Sequence, residues 1–242
     1  MRVAVISDVH GNLPALESVL AAIEQEDTSE LWCLGDLVGY NADPEACTRT
    51  VIDVAEVCLA GNHDLVVNGS IDMTVFAHDA GIAARWSATA LSEEALELLR
   101  TLQPSGRRHD VALYHASPRD PVWEYVIDGR TAQACLDLQE GDICLVGHSH
   151  VPLAYTPGPE GRATGGHMPE AVVELGDGRW LLNPGSVGQP RDGDPRAAYM
   201  VLDLAARTAA WRRVDYAIER AQRAILDAGL PSTLASRLAD GR

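Results

Sequence analysis

The stretch RVAVISDVHGN, residues 2–12, sets the pattern for the first half of the chain. A continuous apolar run of strand length ends in two polar residues, Asp8 and His10. After a short loop, residues 13–25 carry apolar side chains at helical spacing, with Pro14 in the first turn, where proline is tolerated. The stretch therefore predicts a buried strand, a polar loop and a helix, as in an α/β sheet.

The same alternation continues to residue 150 and then changes. Further strands are predicted over 31–35, 55–62, 110–116 and 142–150. Further helices are predicted over 43–55, 91–102 and 131–139, whereas 65–90 has weaker periodicity. The later strands, within 153–158, 171–185 and 197–216, are joined by turns, and Gly-Asp-Gly in the middle segment indicates antiparallel pairing. Residues 157–169 are predicted as a loop, and two short helices from Ala217 onward are expected to complete one compact domain with two sheets and outer helices.

Composition excludes several classes of protein. The net charge of −16 argues against a surface for nucleic acid or for an anionic membrane, because either needs clustered cations, and the chain contains no lysine. The first apolar run is too short for a signal peptide, and no later run approaches the roughly 20 apolar residues of a membrane helix. The five cysteines show no CxxC spacing and are interpreted as structural thiols in a reducing compartment. We therefore expect a cytoplasmic protein.

Polar side chains follow five successive predicted strands. They are Asp8 and His10, Asp36, the run Asn62-His63-Asp64, His115, and the pair His148 and His150. Each alone has an ordinary explanation, such as a turn residue or a half-buried histidine. Because the carboxyl ends of strands in an open α/β sheet form its functional crevice, the coincidence of five indicates a shared site.

The residue types indicate metal ions. Imidazoles, carboxylates and an amide oxygen without thiolates suit Mn²⁺, Fe or Zn²⁺ better than a structural cysteine-rich zinc site. There are too many ligands for one ion. With Asp36 bridging, they divide into two sets, one of Asp8, His10, Asp36 and His150, the other of Asp36, Asn62, His115 and His148. His148 and His150 can serve these two sets only if the backbone turns where their strand ends.

As an ordered set, the motifs DVHGN, GDLVGY, GNHD, HASP and GHSH resemble the calcineurin-like metallophosphoesterase superfamily, in particular its small bacterial and archaeal phosphodiesterase-like branch. The resemblance runs from Asp8 to about Tyr199, since NPGSVGQPRDGDPRAAY is also similar to that branch. It implies an α/β fold, a four-layer αββα sandwich of two mixed β-sheets flanked by helices. We predict a single metallophosphoesterase domain over 1–242, with 216–242 as a C-terminal helical extension. The loop 157–169 is longer than the hairpin expected there.

A mechanism follows from these charges. A hydroxide bridging two metal ions would attack phosphorus, while the ions and Asn62 hold the phosphoryl oxygens. His63 is the candidate general acid for the leaving oxygen, with a histidine that merely caps the loop as the alternative. Asp64 either orients His63 or caps the following turn, and the sequence leaves both open.

Two arginines are candidate substrate-binding residues. Arg119 and Arg191 follow turns expected at the same edge, and a guanidinium matches phosphate oxygens bidentately. The alternative is that they form surface pairs with the adjacent Asp120 and Asp192.

The favoured function is metal-dependent hydrolysis of small phosphodiesters, nucleotide-derived ones included. The cofactors would be two divalent ions, Mn²⁺ first and Fe, Zn²⁺, Ni²⁺ or Mg²⁺ as alternatives. The competing hypotheses are a phosphomonoesterase acting on nucleotides or proteins, and a non-catalytic scaffold with the same fold. A Rossmann-type nucleotide-binding module is disfavoured because no GxGxxG or GxxxxGK[ST] follows a strand. The expected partner is the phosphate-ester substrate, with neither nucleic acid nor membrane, and assembly into a homo-oligomer is compatible with the sequence.

Overall fold

The apolar run that opens the sequence forms strand β1 (Arg2–Ile6), which is buried on both faces in the computed structural model. Because side chains alternate between the faces of a strand, Val3 and Val5 enter one core while Ala4 and Ile6 enter another. A strand with a core on each side must lie in an inner layer. The structure describes residues 1–76 and 78–242.

Strands and helices alternate as predicted up to residue 58, whereas α-helices follow one another over 62–101 and an unpredicted strand over 105–108 precedes the predicted one. The remaining strands of the described residues are β2 (Glu30–Cys33), β3 (Val57–Cys58), β4 (Ser105–Arg108), β5 (Val111–Tyr114), β6 (Ile143–Leu145), β7 (Leu153–Thr156), β8 (Thr164–His167), β9 (Val172–Glu174), β10 (Trp180–Asn183), β11 (Ala197–Asp203) and β12 (Thr208–Val214). The α-helices are α1 (Leu13–Ile23), α2 (Pro44–Val54), α3 (Asn62–Val67), α4 (His78–Ala90), α5 (Glu93–Thr101), α6 (Gly129–Leu138), α7 (Ile218–Asp227) and α8 (Ser232–Asp240). None of the helices in the described ranges combines the length and apolarity that a membrane crossing requires.

The strands form two six-stranded sheets, both mixed. The first has the order β3-β2-β1-β11-β12-β9, in which β1, β2 and β3 are parallel and the other neighbours are antiparallel. The second has the order β4-β5-β6-β10-β7-β8, in which β5, β6 and β10 are parallel. The predicted pair of mixed sheets is therefore confirmed.

Three apolar cores separate four layers. Side chains of both sheets, such as Val5, Trp32 and Leu145, fill the space between the sheets. Helices α1, α2 and α5 cover the outer face of the first sheet, and α6 covers the outer face of the second, where Leu136 packs on Leu181 and its neighbours. The fold is the four-layer sandwich that the resemblance implies.

The C-terminal helices α7 and α8 pack against each other and against α4. Their shared core includes Ala83, Ile225 and Leu234, and Tyr40 from the loop after β2 packs against its edge. The C-terminal segment therefore reaches the same end of the first sheet as the polar strand ends.

Two local predictions for the second half are wrong. Residues 171–185 do not form a hairpin, because β9 pairs with β12 in the first sheet whereas β10 pairs with β6 and β7 in the second. Val173 and Leu182 instead contribute to the core between the sheets, and an alternating apolar pattern cannot distinguish pairing across a turn from packing across a core. The predicted loop 157–169 contains β8, which pairs antiparallel with β7.

Candidate metal centre

The candidate ligands lie where strands end and the backbone turns. Asp8, His10, Asp36, His148 and His150 have positive φ angles of 55°, 51°, 56°, 62° and 59°. This left-handed conformation costs a residue with a Cβ roughly 1–2 kcal/mol, although Asp and His adopt it more readily than most. Residues two apart lie on the same face of a regular strand, so the turned backbone is what allows His148 and His150 to reach the two different ligand sets.

Neighbouring loops of the site are tied together by main-chain hydrogen bonds. The N–H of Asp8 donates to Gly35 at 2.9 Å, and that of His10 donates to Asp36 at 2.8 Å. The N–H of Gly147 donates to His115 at 2.7 Å. These bonds fix the spacing between ligands that come from distant parts of the sequence.

The structure brings the predicted ligands into two clusters that share Asp36. The first contains Asp8, His10, Asp36 and His150, and the second contains Asp36, His115 and His148. Within each cluster, one potential ligand atom per residue lies within 4.8 Å of the others, and all are buried. The amide oxygen of Asn62 lies 3.2 Å from Nε2 of His115, beside the second cluster, as predicted for that set.

The ligand atoms face one another at distances that call for a cation. Nε2 of His10 lies 3.0 Å from Nε2 of His150 and 3.5 Å from Oδ2 of Asp36. Nε2 of His115 lies 3.6 Å from the same Asp36 oxygen, and Nε2 of His150 lies 3.5 Å from Oδ1 of Asp8. One carboxylate oxygen of Asp36 is thus flanked by imidazoles from both clusters.

Three of the imidazoles are oriented by main-chain carbonyls on their outer side. Nδ1 of His10 donates to Val38 at 2.9 Å, and Nδ1 of His115 donates to Leu34 at 2.9 Å. Nδ1 of His150 donates to Gln189 at 2.6 Å. Because the proton resides on Nδ1 in this arrangement, the Nε2 lone pair faces the cluster, as is typical of metal-ligating histidines.

Several buried polar atoms of the clusters lack a hydrogen-bond partner. They are both carboxylate oxygens of Asp8, Oδ2 of Asp36 and Nε2 of His148. Buried polar atoms are normally paired, since an unpaired one costs about 1–3 kcal/mol. Divalent cations would satisfy these atoms together, and the oxygen and nitrogen donors fit Mn²⁺, Fe or Zn²⁺. The residues present therefore fit a metal centre.

Burial shifts the pKa values of the clusters towards their uncharged forms. It raises the pKa of Asp8 to about 7 and holds that of Asp36 well above its usual range. It also lowers the pKa of His115 to about 3 and that of His148 to about 4. Neutral imidazoles are ready to bind a cation, whereas the carboxyl groups must first release protons.

Asp64 supports the loop that carries Asp36. Its Oδ2 accepts hydrogen bonds from the N–H groups of Asp36 and Gly61, both at 2.8 Å. Its Oδ1 accepts from Leu37 at 2.9 Å and from Val38 at 3.2 Å. Within the described residues, no hydrogen bond joins Asp64 to the His63 imidazole, and three of its four hydrogen bonds position the loop of Asp36. The Asp64 carboxylate bonds to the loop of residues 36–38, whereas a local turn cap would bond only to residues next to Asp64.

His63 lies beside the clusters without belonging to either. Its ring centroid is 4.8 Å from that of His10, and its buried Nδ1 lacks a hydrogen-bond partner. Its own N–H donates to Oδ1 of Asp36 at 2.8 Å, which fixes the start of α3 next to the shared carboxylate. A Cβ at Gly39, where φ is +93°, would collide with the His63 ring, so this close approach requires glycine.

The two predicted arginines differ in placement. The Arg191 guanidinium lies 5.5 Å from the centre of the Tyr40 ring and donates to the side-chain oxygen of Gln189. The main-chain N–H of Arg191 donates to the carbonyl of His150 at 3.2 Å. Burial alone would lower the pKa of Arg191, but the phenols of Tyr40 and Tyr125 and the Asp8 carboxylate raise it above its ordinary value. Arg191 is therefore a half-buried cation beside the first cluster.

Arg119 is not brought to the clusters in the same way. Its guanidinium lies 3.5 Å from Glu124, and 44% of its side chain is exposed. This is a surface pair, although with Glu124 and not with the adjacent Asp120. Arg191 does not form the alternative surface pair with Asp192 either, because Asp192 pairs with Arg213 and His167.

Sequence reasoning missed the aromatic residues at the site. Tyr40 and Phe76 lie against His63, with ring centroids 4.5 Å and 4.4 Å away, and Tyr125 stacks on His148 at 4.1 Å. The segment VWEYVI, residues 122–127, places Trp123 and Tyr125 shortly after the HASP motif, and this nearness was the available signal. Phe76 carried no local signal, because it lies in the stretch of weak periodicity.

Proteins similar to this one match most or all of the chain. An uncharacterized protein of Methanocaldococcus jannaschii, MJ0912, is 35% identical over 246 residues, covering 99% of this chain and 98% of its own. The crystal structure of a metallophosphoesterase from Sphaerobacter thermophilus is 38% identical, with full coverage of both chains and a TM-score of 0.90. The phosphodiesterase YfcE of Escherichia coli is 28% identical over 209 residues, covering 84% of this chain and 88% of its own.

The match to a family model covers the part of the chain that carries the clusters. The model of the calcineurin-like phosphoesterase superfamily domain matches residues 1–207, which include every strand of both sheets that precedes a candidate ligand, while α7 and α8 lie beyond it. The resemblance noted in the motifs is thereby confirmed, and the chain belongs to the calcineurin-like phosphoesterase superfamily.

Proposed function

We propose that this protein is a divalent-metal-dependent hydrolase of small phosphodiesters, with two ions held by the two clusters. The observation that carries the proposal is the position of Asp36, which contributes to both clusters and whose Oδ2 is buried without a hydrogen-bond partner. A single structural ion would need only one of the two clusters. Two ions sharing a carboxylate suit in-line displacement at phosphorus.

Bound ions would lower the pKa of a coordinated water and neutralise charge on the phosphoryl oxygens. Mn²⁺ is our first choice, because it accepts both imidazole and carboxylate ligands, and both clusters contain these. The residues of the chain supply the remaining tasks. Asn62 lies beside the second cluster and Arg191 beside the first, and both would offer hydrogen-bond donors to the phosphoryl oxygens of a bound ester.

His63 is the group that we assign to protonate the leaving oxygen. Burial and the positive charge of Arg191 hold its pKa well below the ordinary range, so the imidazole is neutral before substrate arrives. An approaching phosphate brings negative charge, which favours the protonated imidazole and so raises this pKa. The unpaired Nδ1 in a buried position supports a role that begins only when substrate is present.

The local charges favour diesters over monoesters. A monoester brings up to two negative charges, whereas a diester brings one, and Arg191 is the predicted arginine that lies beside the clusters while Arg119 pairs with Glu124. The name of the E. coli relative, a phosphodiesterase, also supports this choice. We place the activity in the cytoplasm, because all five cysteines are free thiols, as expected in a reducing compartment.

The test compares bis-p-nitrophenyl phosphate with p-nitrophenyl phosphate as substrates of the purified protein. Mn²⁺, Mg²⁺, Ni²⁺ and Zn²⁺ are supplied in turn, and kcat/KM is measured for both esters. We expect the diester to be the better substrate with at least Mn²⁺. Faster monoester hydrolysis with every metal would reassign the protein as a phosphomonoesterase, and failure to hydrolyse either ester while binding two ions would favour the scaffold hypothesis.

A matched pair of variants sharpens this test. Arg191→Ala is expected to raise KM for the diester, because the variant loses the half-buried cation beside the first cluster. Arg119→Ala removes an exposed guanidinium of the same charge and is expected to leave KM near the wild-type value. Equal effects of the two substitutions would contradict the assigned role of Arg191.

A further inference from the structure

Three aromatic side chains flank the metal centre and are only partly covered. We call Phe76, Trp123 and Tyr125 the aromatic wall. Trp123 is 37% exposed and Tyr125 is 48% exposed, whereas most large apolar residues of the fold lie in its three cores. Phe76 is the only phenylalanine of the sequence.

The wall is in direct contact with the residues assigned to the chemistry. The Tyr125 ring stacks on the His148 imidazole at 4.1 Å with an interplanar angle of 27°. Phe76 lies 4.4 Å from His63, and Trp123 meets Phe76 edge to face at 6.0 Å and 78°. One end of the wall therefore touches a metal ligand and the other touches the assigned acid.

The segment that carries Trp123 and Tyr125 is held in place before any ligand binds. Oδ1 of Asp120 accepts hydrogen bonds from the N–H groups of Val122 and Trp123, at 3.0 and 3.1 Å. Glu124, which lies between the two aromatic residues in the sequence, accepts a hydrogen bond from the Ser117 hydroxyl at 2.6 Å. A preorganised aromatic surface loses little conformational entropy on binding.

The exposed part of Tyr125 cannot be the face that lies on His148, so the ring offers further surface to a ligand. Planar aromatic groups stack well on such surfaces, and stacking tolerates different ring systems because each has a π-face. Beside the first cluster, the guanidinium of Arg191 bonds to Gln189 through Nε and Nη2, and its remaining N–H groups would contact a phosphate. A phosphate ester that carries an aromatic ring would engage both features at once.

We propose that the aromatic wall is a subsite for the planar aromatic group of a phosphodiester, either a nucleobase or a simple aryl ring. This inference rests on the proposed function, because it assigns the substrate class of the same site. It predicts that affinity depends on the ring as well as on the phosphate.

The first experiment measures binding, independently of turnover. Adenosine 5′-monophosphate, phenyl phosphate and ribose 5-phosphate are titrated calorimetrically into the Mn²⁺-loaded protein. The two aromatic probes are expected to bind about 10- to 100-fold more tightly than ribose 5-phosphate, the range that stacking on one side chain contributes. Tight binding of adenosine monophosphate alone would identify a nucleobase subsite, and tight binding of both an aryl subsite. Equal affinity for all three probes overturns the inference.

Three variants test whether the aromatic wall causes the difference in affinity between the aromatic probes and ribose 5-phosphate. Trp123→Ala removes the ring that packs on Phe76, keeps the main-chain group that bonds to His148, and is expected to weaken only the aromatic probes. Tyr125→Leu keeps apolar bulk on His148 but removes the ring, and should act in the same direction. Ile127→Ala is the matched control, since Ile127 is 60% exposed on the same segment but is not aromatic. If both wall variants bind the aromatic probes as tightly as the wild type does, the aromatic wall is not the subsite.

Two diesters with the same leaving group separate this inference from the proposed function. Thymidine 5′-(methyl phosphate) and ribose 5-(methyl phosphate) both release methanol and differ only in the aromatic base, and we expect kcat/KM to be higher for the thymidine ester in the wild type only. Equal hydrolysis of both would overturn the subsite and leave the phosphodiesterase standing. No hydrolysis of either, with ring-dependent binding intact, would overturn the proposed function and leave the subsite standing.

Discussion

Replacing Asp64 by asparagine tests how far the metal centre depends on one carboxylate that binds no metal. The two oxygens of Asp64 accept four buried main-chain N–H groups, those of Asp36, Gly61, Leu37 and Val38. An amide has one acceptor oxygen, and its NH₂ group cannot accept. Asp64→Asn therefore leaves two of these four N–H groups without a partner.

The size of the effect follows from this count. A buried donor without a partner costs about 1–3 kcal/mol, so two of them lower the free energy of unfolding by about 2–6 kcal/mol. Loss of the charge acts in the opposite direction, because the Asp64 carboxylate contributes to the raised pKa of Asp36 and its removal reduces repulsion. We therefore expect a loss in the lower half of the range, about 2–4 kcal/mol.

Urea unfolding of the metal-free protein at pH 8 provides the measurement. Asp64, whose pKa burial raises to about 6, is ionised at that pH in the wild type. The midpoint should decrease without a change in the slope of the transition. Asp110→Asn is the control, because the Asp110 side chain is 98% exposed and its replacement should change stability by less than about 0.5 kcal/mol. A loss for Asp64→Asn no larger than that of the control would refute the reasoning.

Three further predictions concern metal, acid and pH. Asp36→Asn should remove most of the bound metal together with the activity, whereas His150→Ala should weaken one ion more than the other; an Asp36 variant that retains two ions by elemental analysis, with normal turnover, would contradict the shared-ligand arrangement. His63→Ala should leave metal content near wild type and lower turnover by roughly 10²–10⁴-fold, with a smaller loss for nitrophenolate leaving groups; equal losses on good and poor leaving groups would exclude the acid role. Metal affinity should rise between about pH 6 and 8, because Asp8, with a pKa of about 7, must release its proton, and calorimetry in two buffers should detect more proton release at low pH; pH-independent affinity would count against this.

The features that the sequence predicts well are those with a local signature. Buried strands such as β1 and β6 are continuous apolar runs, and each ends in polar residues, so both the strands and the grouping of Asp8 with His150 could be anticipated. The prediction that the backbone turns at His148 and His150 is also confirmed, by their positive φ angles. These inferences needed only neighbouring residues and the geometry of a sheet.

The features that could not be predicted depend on contacts between distant segments. Nothing near Asp64 indicates that it accepts hydrogen bonds from a loop 26 to 28 residues earlier in the chain. Strands β9 and β10 belong to different sheets because β9 pairs with β12 whereas β10 pairs with β6 and β7, and these partners are distant in sequence. Strand β4 lacks an apolar pattern because it lies at a sheet edge. Phe76 reaches His63 only through the packing of short helices.

The pairing of β1 with β11 has a consequence for how the protein is made. Arg2 lies opposite Asp203, so one edge of the first strand synthesised receives its neighbour only after some two hundred further residues have left the ribosome. Until then, β1 exposes an unpaired row of main-chain groups next to the loop of Asp8 and His10, an edge on which another nascent chain could add a strand. Contacts of such long sequence separation also slow folding. A truncated product that stops before Ala197 would therefore contain all seven predicted ligands and still leave one edge of the strand that leads to the first two unpaired.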